Sequence, residues 1–189
     1  MPRQKVLSQS ELLNEATDLF WKNGYHKTSI QELVKTIGIN RANLYDNFKD
    51  KGELFNECLQ VYQSRMSQKI DDIFNDSVSS KNGFEKLFTE LVKIIRSEEK
   101  KGCMISNTYS ELLPSPNKKT NKILNDSQAF WLSTLQKKLQ QAVEDKEIKD
   151  WKNLAIRILF EVTKNSNVAP ISYFFRKICG IKNKFRFNR

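Results

Sequence analysis

At 189 residues the chain can bury roughly 70% of its unfolded surface, so a self-sufficient core is within reach. Its formal charge of +10 invites a nucleic-acid partner, yet residues 1–55 hold eight Lys/Arg against seven Asp/Glu, while residues 151–189 hold nine against Glu161 alone, so charge by itself assigns no partner. No run approaches the ~20 apolar residues that span a bilayer, and Cys58, Cys103 and Cys179, odd in number and widely spaced, argue against a disulfide framework and fit a reducing cytoplasm.

The first residues turn polar before an apolar signal core could form, so export is not expected. Ser8 and Glu11 have capping-box spacing at the start of a first helix. Leu12, Leu13, Ala16, Leu19 and Phe20 keep the helical period, and Gly24 stops it. Ser29 and Glu32 repeat the capping-box spacing for a second helix, whose apolar stripe is Ile30, Leu33, Val34 and Ile37. Gly38 ends that helix, because glycine takes the left-handed conformation without a side-chain penalty. Ile39 is an apolar plug. Asn40 suits the cap of a third, short helix from Arg41 to Asn47, with Leu44 and Phe48 facing inward. Helix, glycine-containing turn and short helix over Thr28 to Lys51 match the DNA-binding helix-turn-helix.

The Gly24-Tyr25 pair, Thr28-Ser29-Ile30, Ile37-Gly38-Ile39-Asn40, Leu44-Tyr45, Phe48, Lys49, Lys51 and Leu54-Phe55 stand in one order over a short span. In this the chain resembles the amino-terminal domain of the tetracycline-repressor (TetR) family of bacterial transcriptional regulators. The resemblance covers roughly residues 8–60.

A recognition helix reads the major groove with residues near its amino end. Here these are Arg41, Ala42, Asn43, Tyr45 and Asn47, beginning at Asn40. Arg41 can fork onto guanine, Asn43 carries an amide suited to adenine, and Ala42 permits close approach or contact with a thymine methyl. The resemblance implies that Tyr45 and Lys51 grip phosphates, and that Thr28, Ser29 and Gln31 at the start of the second helix do likewise. Helix amino termini favour anions. His26 and Lys27 lie just before that start. Each reading has a plain alternative: Ser29 and Asn40 as caps, Tyr45 packed on the first helix, Arg41 as a solvated charge. The family often has an aromatic or basic residue where Asp46 stands and a histidine where Asn47 stands; an acid facing DNA would repel phosphate, so Asp46 is expected to face away.

Beyond Lys51 the chain reads as helix throughout. Leu54, Phe55, Cys58, Leu59, Tyr62, Met66, Ile70 and Phe74 make one long amphipathic helix. A loop is predicted from Asn75 to Gly83. Phe84, Leu87, Phe88, Leu91, Val92 and Ile95 mark the next helix, Gly102 to Leu113 a short one, and Pro114 and Pro116 break the chain. Thr120 to Lys146 predicts a long helix with Ile123, Phe130, Trp131, Leu135, Leu139 and Val143 on its inner side. Asp150 can cap a helix containing Leu154 and Leu159. After Thr163 the pattern weakens, and residues 182–189 lack a period and are expected to form a mobile tail. The fold class is all-α: residues 1–50 as a three-helix DNA-binding domain and residues 51–189 as a helical domain.

For that second part the resemblance implies small-molecule binding and homodimerisation through the last helices. The run Gly102 to Leu112 is similar to the start of the sixth helix in one large subgroup, where it lines the pocket. Pocket-wall candidates are Phe84, Phe88, Met104, Asn107, Thr108, Glu111, Phe130, Trp131 and Phe160; each serves equally well as an ordinary core residue. Related chains usually continue the eighth helix and add a ninth, whereas Asn165 to Pro170 interrupts here.

The implied function is a ligand-responsive regulator, a repressor, that binds a palindromic operator as a homodimer and is released by a small molecule. With one histidine, no CxxC pair, no Gly-rich phosphate loop and no GxSxG, no enzyme, cofactor or metal site is expected. The alternatives are a basic helical protein that binds a partner or membrane surface, or a thiol-responsive regulator without a small-molecule ligand.

Overall fold

The computed structural model describes residues 7–96, 101–113 and 115–147. Every regular element among them is helical: α1 (Gln9–Asn23), α2 (Ile30–Ile37), α3 (Arg41–Asn47), α4 (Lys51–Asn75), α5 (Ser80–Arg96), α6 (Met104–Leu112) and α7 (Lys118–Glu144). No described helix is long and apolar enough to cross a membrane. The expected helix after Asp150 and the tail 182–189 lie outside the described residues.

The local signals act as their chemistry requires. The Ser8 hydroxyl accepts from the Glu11 N–H while the Glu11 carboxylate accepts from the Ser8 N–H, a complete capping box. At α2 only half of the predicted box forms. Ser29 Oγ accepts the Glu32 N–H at 3.1 Å, but Glu32 Oε1 accepts from the Asn23 side-chain amide at 2.8 Å, so that carboxylate ties α2 to the end of α1. The start of α4 carries a reciprocal cap of its own. Asp50 Oδ1 accepts the Glu53 N–H at 2.8 Å, and Glu53 Oε2 accepts the Lys49 N–H at 3.1 Å.

Three sequence expectations are corrected. The loop predicted to run to Gly83 is shorter, because α5 already begins at Ser80. Ser79 Oγ accepts the Asn82 N–H, and Gly83 sits under the Phe74 ring, where a Cβ would lie 2.5 Å from a ring carbon. Glycine there is a packing residue within a helix, not a turn. The helix expected from Thr120 begins at Lys118, capped by Asn117 Oδ1, which accepts from the Lys119 and Thr120 N–H groups. Phe130 and Val143 are exposed, not inward. The buried line of α7 runs through Ser127, Leu135, Leu139 and Ala142; with successive residues turned by about 100°, positions 130 and 143 stand roughly 125° and 95° from the centre of that line.

The chain divides into two compact units, one made of Met1–Gln68 with Lys101–Asn125 and the other of Lys69–Lys100 with Asp126–Arg189. In the first, Leu12, Ala16 and Phe20 of α1 meet Leu33 and Ile37 of α2, Leu44 and Phe48, and Leu54, Phe55 and Leu59 of α4. Met104 and Ile105 of α6 and Ile123 and Leu124 of α7 belong to the same core. Burying each of the large apolar side chains among these contributes about 1.5–3 kcal/mol, which is how helices of seven and eight residues, too short to stand alone in water, persist here. The ring of Phe20 meets Phe55 edge-on at 4.9 Å, and Trp21 meets Tyr62 at 5.1 Å. A buried polar bond, Thr120 Oγ1 donating to Asn56 Oδ1 at 2.8 Å, joins α7 to α4 within this unit.

In the second unit Ile70, Phe74, Phe84, Leu87, Leu135, Leu139 and Ala142 are buried. Phe74 and Phe84 meet edge-on at 5.0 Å, and Lys69 and Lys93 both pair with Glu90, at 3.1 and 2.7 Å.

Candidate nucleic-acid interface

The turn between α2 and α3 determines what α3 can present. Gly38 adopts φ 76°, ψ 26°, the left-handed conformation, and its N–H donates to the Val34 carbonyl at 3.0 Å. The chain reverses there, Ile39 is half-buried, and Asn40 Oδ1 accepts the Asn43 N–H at 2.7 Å to open α3. Leu44 is the one buried residue of α3, and Phe48, immediately after it, is buried as well. Those two side chains hold the helix down along one line. Arg41, Ala42, Asn43, Tyr45, Asp46 and Asn47 are all exposed.

The residues nominated for DNA contact therefore separate by position. Arg41, Ala42 and Asn43 are exposed at the amino end of α3, and Tyr45 is 45% exposed. Asn47 is exposed, with its side-chain amide donating to the Asn43 carbonyl at 2.7 Å. Ser29 and Gln31 are exposed at the start of α2, the Ser29 hydroxyl being engaged as the cap. Thr28 is different: it is fully buried, and its hydroxyl donates to the Gly24 carbonyl at 2.7 Å, closing the turn after α1. Asp46 shares the exposed surface of α3 and is not buried away from solvent.

Lys51, half-buried at the start of α4, has its ammonium over the Tyr25 ring at 4.4 Å. Burial draws its pKa below the ordinary lysine range, and the nearby Glu111 carboxylate opposes that shift. Burial raises the Tyr25 phenol, and Asp50 adds to the effect. The Tyr25 ring also lies 4.9 Å from Phe55, so Lys51 rests on an aromatic ledge built by the core.

Glu111, nominated as a pocket wall, stands against this ledge. Its Oε2 accepts the Tyr25 N–H at 3.0 Å and its Oε1 accepts the His26 N–H at 2.7 Å. A Cβ on Gly24 would come within 2.8 Å of Glu111 Oε2, so the approach depends on glycine at that position. Sequence reasoning had no signal for this contact, since its partners are 85 and 86 residues apart.

The other pocket candidates are divided between the units. Met104 and Thr108 are buried in the first, the Thr108 hydroxyl donating to the Met104 carbonyl at 2.8 Å; Asn107 is exposed there, donating to the Lys101 carbonyl at 2.6 Å. Phe84 is buried and Phe88 half-buried in the second unit, with their rings stacked at 6.1 Å. Phe130 is exposed and Trp131 half-buried in that same unit. Phe160 lies outside the described residues. Among the described residues no group of His, Cys, Asp and Glu could hold a metal ion.

Residues 12–58, spanning α1 to the first turns of α4, match the family described as bacterial regulatory proteins, tetR family. The chain is 30% identical over 141 residues to the HTH-type transcriptional repressor ComR of Escherichia coli, a match covering 74% of this chain and 67% of ComR. It is also 30% identical over 115 residues to the uncharacterized HTH-type transcriptional regulator YezE of Bacillus subtilis, covering 60% of this chain and 59% of YezE, so it spans only about three fifths of that relative's length. Among solved structures, the TetR family regulator CifR, a cysteine mutant complexed with 26bp double-strand operator DNA, superposes with a TM-score of 0.66 at 18% identity, over 95% of this chain and 99% of that one. The relatives are regulators, not enzymes. With its helix-turn-helix geometry, this chain belongs to the tetR family of bacterial regulatory proteins.

Proposed function

We propose that the chain is a transcriptional repressor that binds a palindromic operator as a homodimer and releases it when a small molecule binds. The observation that carries the DNA-binding part is α3: a seven-residue helix anchored by Leu44 and Phe48 that leaves Arg41, Ala42, Asn43 and Tyr45 exposed together. In this reading residues 1–50 bind DNA, and residues 51–189 bind the effector and form the dimer. Arg41 and Asn43 read base edges, while Ser29, Gln31, Tyr45 and Lys51 hold phosphates. Thr28 contributes through its place in the turn, its hydroxyl being spent on Gly24. Two such helices on a two-fold dimer read half-sites about 34–36 Å apart. An effector releases DNA only to the extent that it prefers the dimer geometry that misfits that spacing.

The test is selection of bound duplexes from a random pool, followed by mass measurement of the complex. The reading expects a palindromic sequence holding two chains, with affinity falling steeply with salt. Recovery of no preferred sequence at low salt, or one chain per duplex, overturns it.

A further inference from the structure

We propose that Glu111 is a positioning residue for DNA binding: reaching from α6, its carboxylate holds the amides of Tyr25 and His26 and so places the turn that leads into α2. This rests on the DNA-binding reading above.

The geometry is specific to a carboxylate. Two backbone N–H groups converge on it, Tyr25 on Oε2 at 3.0 Å and His26 on Oε1 at 2.7 Å, and each oxygen acts as an acceptor. A carboxylate is acceptor-only, so it satisfies both; a glutamine would turn its NH₂ toward one of the two donors. The absent side chain of Gly24 lets the group approach. The amides it holds open a stretch in which His26 and Lys27 are exposed and whose end is the Ser29 cap of α2. Lys51, over the Tyr25 ring, is tied to the same carboxylate by charge. One group on α6 thus governs the segments before α2 and at the start of α4, which flank the recognition helix. The other end of α6 is fastened too, by Trp21 Nε1 donating to the Gly102 carbonyl at 2.9 Å, so Glu111 is held on a fixed support.

Charge and position predict opposite signs. Glu111 is an acid close to a surface that must meet phosphate, so removing its charge alone should tighten binding to every duplex. Losing its positioning role should weaken binding to the selected duplex.

The experiment compares the full-length chain with Glu111→Gln and Glu111→Ala. It uses the duplex selected by the unsubstituted chain, and a scrambled duplex of equal length, at a temperature where circular dichroism shows each variant folded. Amide proton spectra of Tyr25 and His26 are recorded in parallel. The proposal expects Glu111→Gln to lose about tenfold in affinity for the selected duplex, the size of one charge-assisted hydrogen bond, and Glu111→Ala to lose more. The scrambled duplex should change less, and the Tyr25 and His26 amide protons should move upfield and exchange faster. Unchanged or tighter binding to the selected duplex, with those amide signals shifted, overturns the proposal while leaving the DNA-binding reading intact. If Glu111→Ala does not fold, the near-isosteric Glu111→Gln carries the test. If the unsubstituted chain selects no duplex, the DNA-binding reading itself fails and this proposal falls with it.

Discussion

The indole N–H of Trp21 donates to the carbonyl of Gly102 at 2.9 Å, joining the end of α1 to the segment leading into α6 across 81 positions of sequence. Lys101 lies over the same indole at 5.4 Å. With the Glu111 bonds at its far end, α6 is fastened twice to the helices that carry the recognition element. It belongs to one compact unit with them. Truncating the chain after α3 would remove the buried partners Phe55, Leu59, Met104 and Ile105 from this core.

Arg41 stands exposed at the first position of α3. Arg41→Ala is expected to cost ~1–3 kcal/mol at one base step of the selected duplex, with little change in fold. Competition binding against duplexes substituted at each position checks this. Equal losses on selected and random DNA would show that Arg41 touches phosphate alone.

Lys51→Ala is expected to weaken binding across sequences and to lower the slope of log affinity against log salt by about one. The structure adds a second consequence: the Tyr25 ring loses its covering ammonium, 4.4 Å away. A salt titration of the variant decides the phosphate role, since an unchanged slope is incompatible with it.

Gly24 and Gly38 both have positive φ, yet substitution should cost different amounts. At Gly38 an added Cβ meets nothing within 4 Å, so Gly38→Ala should cost only the left-handed strain, about 1–2 kcal/mol. Gly24 adopts φ 83°, ψ 172°, a region nearly restricted to glycine, and its Cβ would press on Glu111 Oε2 at 2.8 Å. Gly24→Ala should therefore cost about 1–3 kcal/mol in strain alone and more once the carboxylate is displaced. Denaturant melts of the two variants give the comparison; equal losses would show that Glu111 yields freely.

Cys58 is fully buried, and burial pushes its thiol up to about 12, against a weaker opposing hydrogen bond from Thr17. At pH 8 roughly one part in ten thousand is thiolate, the reactive form. In the folded chain Cys58 should resist a thiol reagent while half-buried Cys103 is labelled, and both should react in denaturant. Peptide mapping distinguishes the sites. The sign for stability follows from the raised value: what this neutral thiol contributes is fully present only well below the unfolded thiol's ordinary value of 9.0, and is lost progressively as pH rises from there toward the folded value. Rapid labelling of native Cys58 would contradict this burial and would favour the thiol-responsive alternative.

Elements with local causes can be read directly from the order of residues. The Ser8 and Ser29 caps, the Gly38 reversal, the Asn40 cap and the Leu44–Phe48 anchor act through bonds and spacings within about four residues, which is the range that periodicity and capping rules read. Asp50 and Glu53, three residues apart at the start of α4, follow the same local rule. Helix packing is what makes Glu32 bond Asn23 rather than its own cap, buries Thr28, and brings Glu111 to the turn after α1. It alone joined Asn56 to Thr120, 64 residues away. A carboxylate has the same chemistry wherever it lies in the chain. Which N–H groups it meets depends on the packing of whole helices, and no pattern in its own neighbourhood encodes that.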